Sequence, residues 1–292
     1  MKLYKILRKI VQTKQNVDLK KMCSIKIGGT APYVCYPKKI SQLKKLINLL
    51  HAIKVKYLIV GNGTNIVFRD GIFKPVLIST EKLNKVTIKD THVFSNAGVG
   101  LFKLNYILQK NNLGGLEWSY GIPGSVGGAV VMNAGAFGDE IANHIQYVLV
   151  LENGNIKKYN KNKCNFSYRN SIFKNSNIIV LRVRFKLKQE TCESINDKQL
   201  QYLKRRHTTQ PYNFPSAGSI FLKSNNESAG KIIDKLGLSG VKIGGIQISK
   251  KHANFFVNIG NAKSKDLEDM ILYVKQKAKE IGIDLKEEIL FY

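Results

Sequence analysis

The chain has 292 residues, 43% hydrophobic and 23% charged, with 24 Gly and 6 Pro, a composition that excludes a disordered, collagen-like or coiled-coil protein. Its 47 Lys and Arg against 20 Asp and Glu give a formal net charge of +27, but only seven of the bases are Arg and the Lys run from one terminus to the other. Readers of bases and phosphates favour the Arg fork, so the charge describes a solvated surface that steers small anions and does not call for a nucleic-acid partner.

The N-terminus, MKLYKILRKIVQTKQN, mixes Lys and Arg through its apolar residues and lacks the order of a signal peptide. No apolar run reaches the roughly 18 to 20 residues that a bilayer crossing needs, so a cytoplasmic protein without a membrane partner is expected. SQLKKLINLLHAI (41–53) places Leu43, Leu46, Ile47, Leu50 and Ile53 at helical spacing, with Ser41 as the expected N-cap. Residues 57–60 form a short buried strand that runs into a Gly-rich turn. Residues 76–99 give short alternating strands and 101–110 a helix. Strands resume over 147–187. The polar, helix-like stretch 188–213 runs into two prolines, Pro211 and Pro215, and marks a domain junction. Beyond it Ser228 is the expected N-cap of a helix with Ala229, Ile232, Ile233 and Leu236 on one face, and strands follow in VKIGGIQIS and NFFVNIG. A last helix starts at Ser264, lines up Leu267, Met270, Ile271, Val274, Ala278 and Ile281, and stops at Gly282. This alternation is α+β and lacks the regular βαβ rhythm of a Rossmann domain.

The four Cys (23, 35, 164, 192) contain no CxxC pair and the five His no HxxxH, so reduced, partly buried thiols are expected and no metal is called for. Glycine carries more information. VGNGTN, with Gly61, Asn62, Gly63, Thr64 and Asn65, follows a strand, where a bare backbone lets N–H groups approach a phosphate. It is neither GxGxxG nor a P-loop, and a tight turn explains it equally well. GLEWSYGIPGSVGGAVVMNAGAFG (115–138) sets seven glycines among Trp118, Ile122, Val126, Val130 and Met132. A packed segment with so many glycines has either itself or a cofactor lying against its backbone.

GIPGSVGGAVVMNAGAFG, with VGNGTN and KIGG (26–29), resembles the FAD-binding half of the UDP-N-acetylenolpyruvoylglucosamine reductases, flavoenzymes of peptidoglycan precursor synthesis. FSYRNSIF (166–173), PSAGSIF (215–221) and EEILF (287–291) follow in the family's order, and the likeness runs from about residue 20 to the C-terminus. The resemblance implies an α+β fold: a two-subdomain, oxidase-like (PCMH-like) FAD cradle over 1–84 and 85–200, and a substrate domain over 201–292. The last strand, 286–292, is expected to pack back on the first subdomain. It also implies noncovalent FAD, NADPH as co-substrate, a UDP-sugar substrate and no obligatory protein partner.

By the same resemblance, FAD meets Gly61, Asn62, Gly63, Thr64, Asn65, Gly121, Pro123, Gly124, Ser125, Gly127, Gly128, Asn133 and Gly135. Hydride on C3 of the enolpyruvyl ether leaves charge at C2, delocalised as an enolate, which needs a proton donor and a fixed cation. Ser219 matches the family's proton donor, Arg169 the arginine on the enolate carboxylate, and Glu288 the C-terminal glutamate that completes the site. Two acids stand together where the family has one. Glu288 is chosen because Ile289, Leu290 and Phe291 then form the apolar strand and Glu287 is left to solvent. Tyr168, Lys223, His252 and Asn254 match substrate contacts. The short interval between Arg169 and Ser219 resembles the subtype without a long tyrosine-bearing loop. Two other readings compete: a flavin-dependent oxidase on the same cradle, acting on an alcohol or sugar, and a nucleic-acid binder driven by charge.

Overall fold

The structure, a computed structural model, describes residues 2–224 and 227–292. Its helices are α1 (Lys2–Arg8), α2 (Ile40–Ala52), α3 (Leu101–Lys110), α4 (Val126–Val131), α5 (Cys192–Thr209), α6 (Ala229–Lys235) and α7 (Ser264–Glu280). With the strands between them they make an α+β fold. Among the described residues no helix is long and apolar enough to cross a membrane.

The chain divides into two compact units, neither continuous in sequence. Unit one holds Met1–Gln15, Tyr33–Asn62 and Pro75–Arg205, and unit two holds Asn16–Pro32, Gly63–Lys74 and Arg206–Tyr292. The segments read from the sequence, by contrast, are consecutive.

In unit one, an antiparallel sheet runs in the spatial order Asn155–Asn160, Ile145–Glu152, Ile179–Lys186, His92–Asn96, Val86–Lys89. Its inward side chains, Val93, Val148, Val183 and Phe185, are fully buried with those of α3 and α4. A smaller parallel set places Tyr57–Val60 and Val34–Cys35 on either side of Val76–Ser79. Against it α2 buries Leu43, Leu46, Ile47 and Leu50, the i, i+3, i+4, i+7 stripe of an amphipathic helix. This helix begins one residue earlier than expected, and Lys39, not Ser41, is its N-cap. The Gln42 side-chain oxygen accepts the backbone N–H groups of Lys38 (2.9 Å) and Lys39 (3.2 Å), the half of a capping box that the N3 residue supplies.

Unit two is built on an antiparallel sheet ordered Ser216–Ser219, Phe255–Asn258, Ile246–Ile248, Lys242–Ile243. α7 buries Leu267, Met270, Ile271, Val274 and Ala278 along one stripe and ends before Gly282, whose φ of 77° reverses the chain. Its N-terminus is capped from far away in sequence: the Asp70 carboxylate accepts the Ser264 N–H and hydroxyl, each at 2.9 Å. Ser228 occupies the N-cap position of α6 but makes no side-chain capping bond. The terminal strand Leu290–Phe291 pairs in parallel with Ile66–Val67.

Cys23, Cys35 and Cys164 are buried thiols and Cys192 is partly so. Burial pushes the Cys35 and Cys164 thiols up to about 11, so they stay protonated and inert.

Candidate active site

Gly61 and Asn62, at the head of the first glycine cluster, meet the second cluster inside unit one. Asn62 Nδ2 donates to the Pro123 carbonyl at 2.8 Å. A Cβ on Gly61 would collide with Ser125 Oγ, so only glycine lets these loops close on each other. The chain from Gly98 joins them: Gly100 bridges Ser125, and Leu101 N donates to Gly124 O at 2.9 Å. Where they converge, the N–H groups of Gly61, Asn62, Gly124 and Ser125 find no acceptor among the described residues. Backbone donors on two glycine-bearing loops that close on each other fit an anionic group such as a diphosphate.

The first turn of α4 is not part of that donor set. Val126 N and Gly127 N donate to Val99 O and Ala97 O at 2.8 Å, and Gly128 N to Ser125 Oγ at 3.3 Å. Gly127 is glycine because Ala97 leaves no room for a Cβ. Gly128 is exposed on the outer face. Gly121 takes a φ of 85° at the turn before Pro123. Asn133 is completely buried: its Nδ2 donates to Ser167 O at 3.0 Å and its Oδ1 accepts Ala142 N at 3.3 Å. That geometry ties Asn133 to the loop that carries Arg169.

Arg169 belongs to the same unit. Its backbone is left-handed, φ 52°, a conformation that costs on the order of 1–3 kcal/mol and persists only where the surroundings impose it. They do so here. Asn133 holds Ser167, Ser171 Oγ donates to Val131 O at 2.7 Å, and Ser167 and Asn170 exchange backbone bonds at 3.0 and 3.1 Å. The guanidinium donates through Nη2 to Gly135 O at 2.8 Å and lies 5.2 Å from the ring centroid of Tyr168, itself half exposed. Gly135 thus serves Arg169 through its carbonyl.

Unit two brings Ser219 and Glu288 together. Ser219 ends a strand paired with Phe255, and a register shift separates it from Ser216. Gly218 supplies the φ of 79° that this bulge requires. One residue on, Ile220 O accepts Glu288 N at 2.7 Å, so the terminal segment lies directly beside the serine strand. Asn65 fastens it from the other side: Nδ2 donates to Glu288 O and Asn65 O accepts Leu290 N, both at 3.1 Å. Asn65, expected on the cofactor, is thereby tied to the backbone of Glu288 and Leu290. Gly63 packs against the Met22–Cys23 backbone, where a Cβ would clash, and Thr64 is partly exposed beside it. Glu287, assigned to solvent, is half exposed but accepts Lys275 Nζ at 2.9 Å.

The remaining expected contacts divide. Asn254 is buried with its amide spent on the Phe221 backbone, Nδ2 to O at 2.8 Å and N to Oδ1 at 2.9 Å, which makes it a brace for the serine strand. His252 is part-buried, with Nδ1 lacking a partner among the described residues; burial lowers its pKa and keeps the ring neutral. Lys223 is exposed. Sequence reasoning missed Ser24, whose hydroxyl donates to Ser216 O at 2.6 Å, and Asn258, whose Nδ2 donates to Ile25 O at 3.0 Å. Both bonds span roughly two hundred residues, and no local pattern announces them.

The model of the UDP-N-acetylenolpyruvoylglucosamine reductase C-terminal domain matches residues 210–292, and that of an FAD binding domain matches 31–160. The chain is similar to the UDP-N-acetylenolpyruvoylglucosamine reductase of Thermotoga petrophila, 43% identical over 268 residues, 91% of this chain and 94% of that one. It is similar to the Fervidobacterium nodosum protein of the same name, 39% identical over 295 residues, 97% and 96% of the two chains. The crystal structure of the Thermus caldophilus reductase superposes with a TM-score of 0.82 at 31% identity, covering 97% of this chain and 98% of that one.

Proposed function

The chain belongs to the UDP-N-acetylenolpyruvoylglucosamine reductase family, and from that premise we propose that it reduces the enolpyruvyl ether of UDP-N-acetylenolpyruvoylglucosamine to UDP-N-acetylmuramate, with NADPH as reductant, for cytoplasmic peptidoglycan precursor synthesis. The observation that carries this reading is the placement of Ser219 and Glu288 on adjoining backbone, clamped by Asn65 and braced by Asn254.

FAD fits unit one on its donors: the N–H groups of Gly61, Asn62, Gly124 and Ser125 suit the diphosphate, with Gly121 and Pro123 shaping the rim. When bound, it supplies hydride transfer between NADPH and C3 of the enolpyruvyl group. The protein itself manages the charge and the proton at C2. Arg169 binds the substrate carboxylate and stabilises the negative charge that spreads onto it, the task of a permanently charged fork. Ser219 gives its hydroxyl proton to C2, and Glu288 restores that proton or holds the hydroxyl in place. One hydride and one proton are added, and the carbon–carbon double bond becomes single. The division of labour follows the segments 1–84 and 85–200 for FAD and 201–292 for the nucleotide sugar, with Tyr168, Lys223 and His252 as substrate contacts.

The test is the visible spectrum of the purified protein under anaerobic conditions. Flavin bands that bleach on NADPH and return only with the enolpyruvyl substrate support the reading. Bands that NADPH never bleaches, in a protein that reacts rapidly with oxygen, would point to an oxidase of alcohols or sugars. A colourless protein that FAD cannot reconstitute would overturn both.

A further inference from the structure

The Gly135–Glu140 hairpin of unit one holds a strained turn. Ala136 pairs with Asp139, and the two residues between them, Phe137 (φ 57°) and Gly138 (φ 88°), are both left-handed. This is the pattern of a type I′ turn, whose first central position is normally taken by Asn, Asp or Gly. A bulky aromatic there works against its own backbone. Turn formation does not explain the choice, so the ring must be needed for what it touches.

It touches α5. The Phe137 ring stacks on Tyr202 with centroids 4.8 Å apart and planes 18° from parallel, and the Arg205 guanidinium sits 5.0 Å from its centroid. The helix offers a firm base. Gln199 donates to Asn105 on α3, and Lys198 pairs with Glu190 just before the helix. The other end of the hairpin carries the Gly135 carbonyl that receives Arg169 Nη2 at 2.8 Å. One mechanical line therefore runs from α5 through Phe137 to the carbonyl that aims the guanidinium.

We propose that Phe137 is a positioning residue for Arg169: its ring, seated on Tyr202 and Arg205, fixes the hairpin whose Gly135 carbonyl orients the arginine toward the substrate carboxylate. This rests on the reading of Arg169 given above. A guanidinium on a long side chain binds a carboxylate well only when its direction is set in advance.

The experiment uses the FAD-loaded enzyme and two probes, UDP-N-acetylmuramate, which carries the carboxylate, and UDP-N-acetylglucosamine, which does not. Their dissociation constants are measured by calorimetry for Phe137→Asn, which tolerates the turn but removes the ring, and for Phe137→Tyr, which keeps it. Phe137→Asn should weaken the muramate by roughly tenfold, the scale of one charge-assisted contact, and leave UDP-N-acetylglucosamine within about twofold. Phe137→Tyr should restore the ratio. In an Arg169→Ala background, Phe137→Asn should add nothing. Equal weakening of both probes, no weakening, or a full additive effect beside Arg169→Ala would overturn the proposal. If Phe137→Asn does not fold, Tyr202→Leu removes the ring beneath it and should give the same selective loss. Arg169→Ala alone tests the underlying reading: if it leaves the ratio intact, Arg169 does not hold the carboxylate and the inference about Phe137 falls with it.

Discussion

Ser219 can act as an acid only where its proton leaves for a carbanionic centre and is replaced, because a free hydroxyl is far too weak. Its substitution should therefore separate two steps that a structural defect would slow together. Ser219→Ala is expected to leave flavin reduction by NADPH within about twofold of wild type and to slow reoxidation by the enolpyruvyl substrate by roughly 10² to 10⁴, the range of one general acid. Stopped-flow absorbance reads both; equal slowing would make the serine structural. Gly61 offers a complementary test, because its Cβ position is already filled by Ser125 Oγ. Gly61→Val should pry the two glycine loops apart and yield protein with little bound flavin, measured as the ratio of flavin to protein absorbance after purification. The motifs nominate Arg169, Ser219 and Glu288 because their neighbours repeat a recognisable order. They also include Asn65, Asn133 and Asn254, whose amides bond backbone partners. An asparagine in a motif looks the same whether it meets a ligand or braces a loop. Its partner decides, and for Asn65 that partner lies 223 residues away.

At the scale of elements, apolar periodicity made α2, α3 and α7 legible, since each buries one stripe and the stripe is written locally. What the sequence left hidden was how those helices are finished. α7 is capped by Asp70, from a segment 194 residues earlier, and Asp266 in its first turn accepts Lys263 N and Gly245 N, both at 3.0 Å. Asp70→Ala should cost about 1 kcal/mol, typical of a lost N-cap, and lower Tm by roughly 2–4 °C; an unchanged melting curve would show that the Asp70 bonds do not stabilise the fold. Asp266 carries a pH signature. The backbone bond from Lys263, chiefly, holds its carboxyl below the usual range, against a smaller opposing effect of burial. The bonds exist only in the folded state and favour the ionised form. Their stabilisation is thus full above the unfolded value near pH 4 and is lost as pH falls through the lower folded value. The stability gap between wild type and Asp266→Asn, measured by urea unfolding, should narrow steadily from about pH 6 to about pH 3. A constant gap would mean that the carboxylate does not titrate in this window.

Across the whole molecule, the discontinuity of the two units was the feature least available from the sequence. Residues 63–74 sit with the C-terminal segment because Arg69 N bonds Tyr292 O at 2.7 Å and Ile66–Val67 pair with the last strand. Partners this distant are chosen by three-dimensional packing, and composition along the chain does not record them. The formal charge of +27, in contrast, was plain from the outset, and its consequence can be measured without reference to any single residue. NADPH and a nucleotide sugar are both polyanions, so a uniformly basic surface should raise their encounter rates while leaving the chemical steps alone. Between about 0.01 M and about 0.1 M salt the screening length falls from roughly 30 Å to roughly 10 Å. The second-order rate constant for flavin reduction at limiting NADPH should drop severalfold over that range, while the limiting rate at saturating NADPH changes by less than about twofold. Both come from one stopped-flow series. Should the limiting rate fall in parallel, salt would be acting on the site itself; a flat second-order constant would leave the excess of lysine with no part in capturing substrate.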